Sequence, residues 1–537
     1  MHPPEKGTAG ERERSVRLRD QRLHAAAFAG LMLLAVFLRF YLIGAKTLWL
    51  DEAFSVWVAR HGLWEQWRWL IRIDQHPPLY YGLLRGWIGL FGDGPAAVRA
   101  LSALCSSLAA PLFYGAARRL FDGPTGLVAL FILAASPFHV RFAQETRMYG
   151  LLTLEVAAAL FFLSTVLTRR DAPRRHWMGL AVAQAAIMLT HNTAAVYFPA
   201  AVNLAVAGLV WLDRRTGSGK LDVSGDFLCR WVRYQGLALL LWSPWAVPFV
   251  IQAVGVDRQF WLWPPTPGMV YDTFRNFNFA FLPGWLPVQP LWMLLYGLFF
   301  LLGLVALGRR PRRLLLLLSL LAVPHLLALL VSLRRPIYYD RTLIWTTLPY
   351  YLLLAVGVRA LTDRTRWALA FAPATLRPPR LPARALYGLQ TGALALILVL
   401  SGLSLGGYYW GFQKEGWDQA AAYVAEHVGP DDVIVFNATW VQIPFEYYYR
   451  HYGKDTELRG LPVDLFDRGV LEPIMAESDV PYLHELVRGR ERVWLVYSHD
   501  WYTDPKKIIP RELARDLRVV ERRKFPGLQV IRYERQE

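Results

Sequence analysis

Asp51 and Glu52 are adjacent carboxylates that follow directly on the first long apolar segment, in the run Lys46-Thr47-Leu48-Trp49-Leu50-Asp51-Glu52-Ala53-Phe54. Keeping two carboxylates partly desolvated at a membrane–water boundary is costly, so such a pair points to use. Trp49, Trp57 and Trp64 flank it, and tryptophan favours the headgroup layer. The pair is expected on an ordered interfacial shelf; the competing reading is a solvated acidic loop behind a helix. Four more polar groups fall on the same outer face, the first of them in the same loop as Asp51. They are Asp74-Gln75-His76-Pro77-Pro78-Leu79-Tyr80-Tyr81, Arg141 to Tyr149 with Glu145 and Arg147, His191-Asn192, and Arg334-Arg335-Pro336-Ile337-Tyr338-Tyr339-Asp340-Arg341.

Carboxylates and arginines at one bilayer face suit the transfer of a sugar carried on a lipid phosphate. A carboxylate can take the proton of an acceptor hydroxyl. Cations must stabilise the charge that builds on the departing phosphate. Phosphate leaves readily, so no strong general acid is needed. The guanidinium fork can grip two phosphate oxygens and stays charged.

The elements that must position these groups are mostly membrane helices. Of 537 residues, 54% are hydrophobic and 19% charged, against roughly 25% charged in soluble domains. The net charge is +17, but the basic clusters fall between apolar segments and form no stripe, so nucleic acid is not expected as a partner. Cys105 and Cys229 suggest neither a disulfide framework nor a zinc site. Eleven crossings are expected, at about 25–44, 98–117, 124–140, 148–168, 177–190, 193–212, 234–253, 288–308, 313–333, 342–360 and 386–406.

With residues 1–24 as a charged, unstructured cytoplasmic tail, every inner loop is rich in arginine, as the positive-inside rule demands. The 334–341 cluster breaks that pattern by lying outside. Leu79 to Phe91 is too short to cross and reads as an interfacial helix inside a long first outer loop, 45–97. The expected fold class is mainly α: a polytopic helical membrane domain over 25–410, followed by a small extracytoplasmic α/β domain over 411–537. Strands are expected at Asp432–Phe436 and Arg492–Tyr497, with Val519-Val520 and Leu528–Ile531 closing the sheet.

Leu-Asp-Glu-Ala-Phe-Ser at 50–55, His-Pro-Pro-Leu-Tyr-Tyr at 76–81 and Gln-Glu-Thr-Arg-Met-Tyr-Gly-Leu at 144–151 resemble the bacterial branch of the C-type membrane glycosyltransferases. Relatives of that branch include the protein O-mannosyltransferases and the aminoarabinose transferases. The resemblance implies a polyprenyl-phosphate-linked sugar donor and an inverting transfer outside the cytoplasm. The acceptor would be a glycan, lipid or protein of the cell envelope. It maps Asp51 to the first-loop catalytic carboxylate and Glu145 to the second acidic position. His76 stands where aminoarabinose transferases carry a lysine facing the donor phosphate, and Gln75 replaces an acidic residue beside it. No cofactor is assigned; a divalent metal cation is left open, and Gln75 argues against carrying over a metal site.

The catalytic candidates are therefore Asp51, Glu52 and Glu145, with Glu52 also able to serve by orienting Asp51. The donor-phosphate and substrate candidates are His76, Arg147, Tyr149, His191, Arg335 and Arg341. Each has a plainer role to set against it. His76 could cap the interfacial helix, and Glu145 and Arg147 could brace a loop. His191 could be a satisfied structural histidine, and the two arginines could anchor bulk headgroups. The outer loop at about 254–287, with Trp261-Leu262-Trp263, is a lid candidate. Two other classes compete with an enzyme: a lipid or sugar-lipid transporter, for which Glu155 within the fourth crossing speaks, and a non-catalytic envelope scaffold.

Overall fold

The structure, a computed structural model, describes residues 9–74, 76–169, 171–216, 225–255, 264–286, 289–362, 382–462 and 474–536. Gln75, Lys220, Trp261 to Trp263, Arg364, Arg366, Arg377 and Arg380 lie outside the described residues. The chain begins with α1 (Ala9–Phe40), α2 (Leu50–Arg60), α3 (Leu63–Ile73), α4 (Leu79–Phe91), α5 (Pro95–Leu120), α6 (Gly123–Ala135), α7 (Pro137–Ala143) and α8 (Tyr149–Thr168). It continues with α9 (Arg174–Thr190), α10 (Asn192–Thr216), α11 (Gly225–Trp242), α12 (Ala246–Gly255), α13 (Pro267–Phe279), α14 (Gln289–Leu307), α15 (Pro311–Ser332), α16 (Thr347–Ala360) and α17 (Ala383–Gly406).

Among the described residues, nine helices are long and apolar enough to cross a membrane, or ten if α6 and α7 form one broken span. Three expectations change. Residues 9–24 of the tail, expected to be unstructured, are helical, because α1 already starts at Ala9. Its arginines, glutamates and leucines are good helix formers, and extending an existing helix costs little. The expected 124–140 crossing is bent by 57° between α6 and α7. Pro137 has no N–H to continue the ladder, and Ser136 caps α7 by accepting from the His139 N–H at 3.3 Å. The expected 177–190 crossing falls on α9, whose 17 residues reach about 26 Å, short of a core of about 30 Å.

Close packing fixes the frame around the site. The span Asp340–Ala360 is almost wholly enclosed by the other helices. Gly303 of α14 and Gly357 of α16 face the backbones of the opposite helices; a Cβ on Gly357 would strike the Phe299 carbonyl, and one on Gly303 the Leu353 carbonyl. Small residues at such a contact let helix backbones approach within a membrane. Arg39, fully buried in α1, donates to Ser106 Oγ at 2.8 Å and to the carbonyls of Ala35, Leu133 and Ala134. The last two are carbonyls at the end of α6, so the arginine serves the backbone groups that the break leaves without helical partners.

Beyond the membrane helices come α18 (Trp417–His427), β1 (Val433–Phe436), α19 (Thr439–Tyr449), β2 (Glu457–Gly460), α20 (Val480–Val487), β3 (Arg492–Ser498), α21 (Asp500–Thr503), α22 (Ile508–Asp516), β4 (Leu517–Phe525) and β5 (Leu528–Arg535). The five strands form one sheet in the order β2-β1-β3-β5-β4. β1 runs parallel to both β2 and β3, while β5 is antiparallel to β3 and β4. Alternate residues feed opposite faces. Ile434, Phe436 and Trp494 pack with α18 and α19. Val433, Val435 and Leu495 pack with α20 and α22.

Candidate active site

The N-terminus of α2 organises the site. Asp51 and Glu52 occupy its first turn, where the helix dipole favours carboxylates. Their fates differ. Glu52 is fully buried. It accepts from Arg99 Nε at 2.7 Å and Nη2 at 2.8 Å, from Lys414 Nζ at 2.7 Å and from the Thr146 N–H at 2.9 Å. Arg99 also donates to the carbonyls of Ile43, Lys46 and Thr47. One carboxylate thus ties α2 to α5, to the 144–148 turn and to the segment that leads into the C-terminal sheet. Burial pushes the Glu52 carboxyl up, but Arg99 and Lys414 outweigh it and hold it down at about 2. Burial pushes the Lys414 ammonium down to about 8, against the pull of Glu52. With both oxygens committed to cations, Glu52 has the geometry of a positioning group, not that of the catalytic acid or base expected of it.

Asp51 keeps an exposed edge. Its side chain is 21% accessible, and Oδ2 meets Arg341 Nη1 at 3.1 Å. Arg341 lies over the rings of Tyr339 and Trp49, at 4.7 and 5.6 Å from their centroids. Asp340 and Arg341 open the short turn that leads into α16, so the most enclosed span places this arginine. Of the two arginines singled out in this loop, Arg341 is the one that pairs with Asp51. Arg335 donates to the Ala253 carbonyl of α12.

Behind the pair sits Arg147, also buried. Its Nη1 donates to Ser55 Oγ at 3.2 Å, to Tyr81 Oη at 3.3 Å and to the Asp51 carbonyl at 3.4 Å. Tyr81 in turn donates to Asp74 Oδ2 at 2.6 Å, and Asp74 Oδ1 holds His76 Nδ1 at 2.8 Å. Burial pushes the Asp74 carboxyl up, yet His76, Arg147 and the Tyr81 hydroxyl hold it down at about 2. His76 therefore belongs to this network and does not cap α4, whose N-cap is Pro78 with no side-chain cap bond. The His76 ring lies edge-on to His191 at 5.3 Å between centroids, and His191 lies 6.2 Å from the Tyr149 ring. Burial, with His76 and Arg147 close by, keeps the His191 imidazole well below its usual value, so it is neutral.

Glu145 pairs with Arg141 at 3.1 Å and not with Arg147, so the loop brace considered for that couple is absent. Tyr149 feels the charges of Arg341, Arg147, Asp51 and Glu145 together. The structure thus gathers Asp51, Arg341, Arg147, His76, His191 and Tyr149 in one chain of contacts, with Glu145 beside it. Four buried polar atoms of this group have no partner: Trp49 Nε1, Glu145 Oε2, Arg147 Nε and His191 Nε2. Orphaned buried groups are rare in folded proteins and mark sites where a ligand can complete the bonding. They mix donors with an acceptor, which suits a polyhydroxylated group beside an anion.

Among the described residues no three His, Cys, Asp or Glu side chains converge as metal ligands. Both Asp74 oxygens are already engaged by His76 and Tyr81.

Sequence reasoning missed Arg99, Lys414, Ser55 and the bracing role of Asp74 and Tyr81. Arg99 carried a signal, being a cation inside an apolar helix. Lys414 carried none.

This architecture is the fold of the C-type membrane glycosyltransferases. The structure matches ArnT from Cupriavidus metallidurans in its apo state with a TM-score of 0.55 and 15% identity, over 95% of this chain and 97% of that one. The same protein bound to undecaprenyl phosphate matches at 0.54 and 16% identity, over 95% and 97%. The Archaeoglobus fulgidus oligosaccharyltransferase, tethered with an acceptor peptide, matches at 0.53 and 11% identity, over 96% of this chain and 74% of that one. Residues 75–218 match the family described as dolichyl-phosphate-mannose-protein mannosyltransferase. No curated protein sequence matches the chain significantly.

Proposed function

We propose that the chain is a membrane glycosyltransferase. It moves a sugar from a polyprenyl-phosphate donor to the hydroxyl of an envelope acceptor, with inversion, on the extracytoplasmic face. The observation that carries this reading is the mostly buried Asp51–Arg341 pair, which keeps one accessible edge, set among buried polar atoms that lack partners. The fold and the 75–218 match support it.

In the proposed reaction the acceptor oxygen bonds to the anomeric carbon from the face opposite the phosphate. The carbon–phosphate oxygen bond breaks, and its electron pair leaves with the lipid phosphate. The hydroxyl proton goes to Asp51. A hydroxyl is a poor nucleophile at neutral pH, and a positioned base is worth about 100- to 10,000-fold. Arg341 turns from Asp51 to the phosphate, so donor binding itself frees the carboxylate. A guanidinium acts strongly there because the site is partly shut off from water. His76 and His191 face the donor headgroup, while Arg147 and Tyr149 line the sugar side. Glu145 accepts a sugar hydroxyl through its free oxygen. Arg335, beside α12, steadies the lipid headgroup. Glu52 positions Asp51 through α2.

A transporter fits less well. The polar cluster gathers at one end of the helices. Glu155, the mid-helix carboxylate, accepts from Thr190 Oγ1 at 2.8 Å through one oxygen. The test is transfer by the purified chain from a polyprenyl-phosphate sugar. Arg341→Ala should weaken donor binding; unchanged donor affinity would remove Arg341 from the phosphate.

A further inference from the structure

β4 is an edge strand of the C-terminal sheet. Its sequence, Leu517-Arg518-Val519-Val520-Glu521-Arg522-Arg523-Lys524-Phe525, sets Arg518, Arg522, Arg523 and Lys524 against the single acid Glu521. An isolated charge on an edge is enough to discourage pairing with another strand, so the unbroken run Arg522-Arg523-Lys524 calls for a further reason. Arg523 lies over the Tyr423 ring, 4.4 Å from its centroid, and Arg518 faces Glu534 at 3.9 Å. Arg522 and Lys524 are exposed. They stand opposite Ile531 and Gln529 of β5. Both therefore rise from the same sheet face, and no acid opposes either of them across the ladder.

The end of the strand that bears these cations lies where the chain leaves the membrane. The last candidate span ends at Gly411. Trp410 is 72% exposed, as suits an indole at headgroup depth. Lys46, which follows the first span, donates to the carbonyls of Tyr409 and Phe412 at 3.1 and 2.7 Å, and Thr47 Oγ1 donates to the Glu415 carbonyl at 2.6 Å. The exits of the first and last spans are thus tied together. Gly416, the next residue, donates its N–H to the Pro526 carbonyl in the β4–β5 turn at 2.9 Å. Lys524 lies two residues from that contact and Arg522 four, about 7 and 13 Å along a strand. The field of an anionic surface reaches about 10 Å at ordinary ionic strength, the same scale.

We propose that the cationic end of β4 docks on anionic lipid headgroups and holds the C-terminal sheet against the bilayer. Charge complementarity and continuity with the membrane exit carry the assignment. A guanidinium and an ammonium side by side suit headgroup phosphates, and each cation near an anionic surface strengthens the association about fivefold. An acidic peptide added as a further strand would need the whole edge of β4. The register shift between Val519 and Glu521 interrupts that edge, because a bulge twists an edge away from a new partner. The inference is independent of the chemistry assigned to Asp51.

The test places the full-length chain in nanodiscs of phosphatidylcholine alone, or of phosphatidylcholine mixed with phosphatidylglycerol, and follows amide hydrogen exchange across β4. Exchange should be about fivefold or more slower in the anionic discs, and sodium chloride at about 1 M should erase the difference. Arg522→Gln combined with Lys524→Gln should erase it as well, while Arg522→Lys should keep most of it. The double variant should melt like the parent in detergent, since both side chains are exposed; the salt arm needs no variant at all. The proposal is overturned if β4 exchanges at one rate in both kinds of disc, or if the double variant responds to phosphatidylglycerol as the parent does. It is also overturned if poly-glutamate added to the neutral discs slows exchange in β4 and phosphatidylglycerol does not.

Discussion

Arg341 holds Asp51 at 3.1 Å, so the two residues should fail in different ways when removed. Arg341→Ala frees the carboxylate but deprives the phosphate of its cation. It should weaken donor binding about tenfold or more, as loss of a charge-assisted contact does. Titration with a polyprenyl phosphate would read that loss. Glu52 should behave differently again. Glu52→Ala leaves Arg99 and Lys414 buried without their anion, at a cost of about 3–5 kcal/mol, and should lower the melting temperature of the detergent-solubilised protein.

The same carboxylate sets an acid limit. Glu52 and Asp74 both titrate near 2 in the folded chain, below their unfolded values. Their stabilisation is therefore present above about pH 4.5 and lost as pH falls from there towards 2. Melting curves at pH 7, 4 and 3 should show that decline, and Glu52→Gln should flatten it. Asp51, His76, Arg147 and Arg341 were legible in the sequence because each sits in a short polar run between apolar segments. The ion pairs of Glu52 were not. Arg99 is 47 residues away and Lys414 is 362 away, and no local pattern specifies such a partner.

At the scale of elements, the site depends on helices that place residues they do not themselves contribute. α16 is held against α14 by Gly303 and Gly357, and the turn before α16 carries Arg341. Gly357→Ala should push the two helices apart. It should destabilise the protein and loosen the Arg341–Asp51 pair, while Gly392→Ala, whose Cβ meets nothing within 4 Å, should be neutral. Thermal melting of both variants would check this. The helix at Leu79–Phe91 was readable with its ends, because two prolines precede it and glycine follows. The break at Ser136-Pro137 was not, since the apolar run continues through it. The C-terminal strands β1 and β3 were readable from their β-branched and aromatic residues. The pairing order was not, because it is decided by which faces α18, α19, α20 and α22 cover.

For the whole molecule, the account requires Asp51 and the C-terminal sheet to share one side of the membrane. Lys414, Glu415 and Tyr448 reach directly to Glu52, Leu50 and Leu48, so the sheet and α2 cannot lie on opposite sides. In the proposed function that side is the exterior, the side the positive-inside rule leaves poor in arginine. Cysteines placed beside Asp51 and at Lys454, in a background without Cys229, should both react with an impermeant thiol reagent in intact cells. Protection of both would invert the topology. The most direct test of the central claim is a single-turnover assay of the purified chain, reconstituted with a polyprenyl-phosphate sugar and a hydroxyl acceptor that the parent protein glycosylates. Asp51→Asn should bind the donor about as tightly as the parent while transfer falls by about 100-fold or more. Transfer at near-parental rate by Asp51→Asn would contradict the assignment of Asp51 as the base.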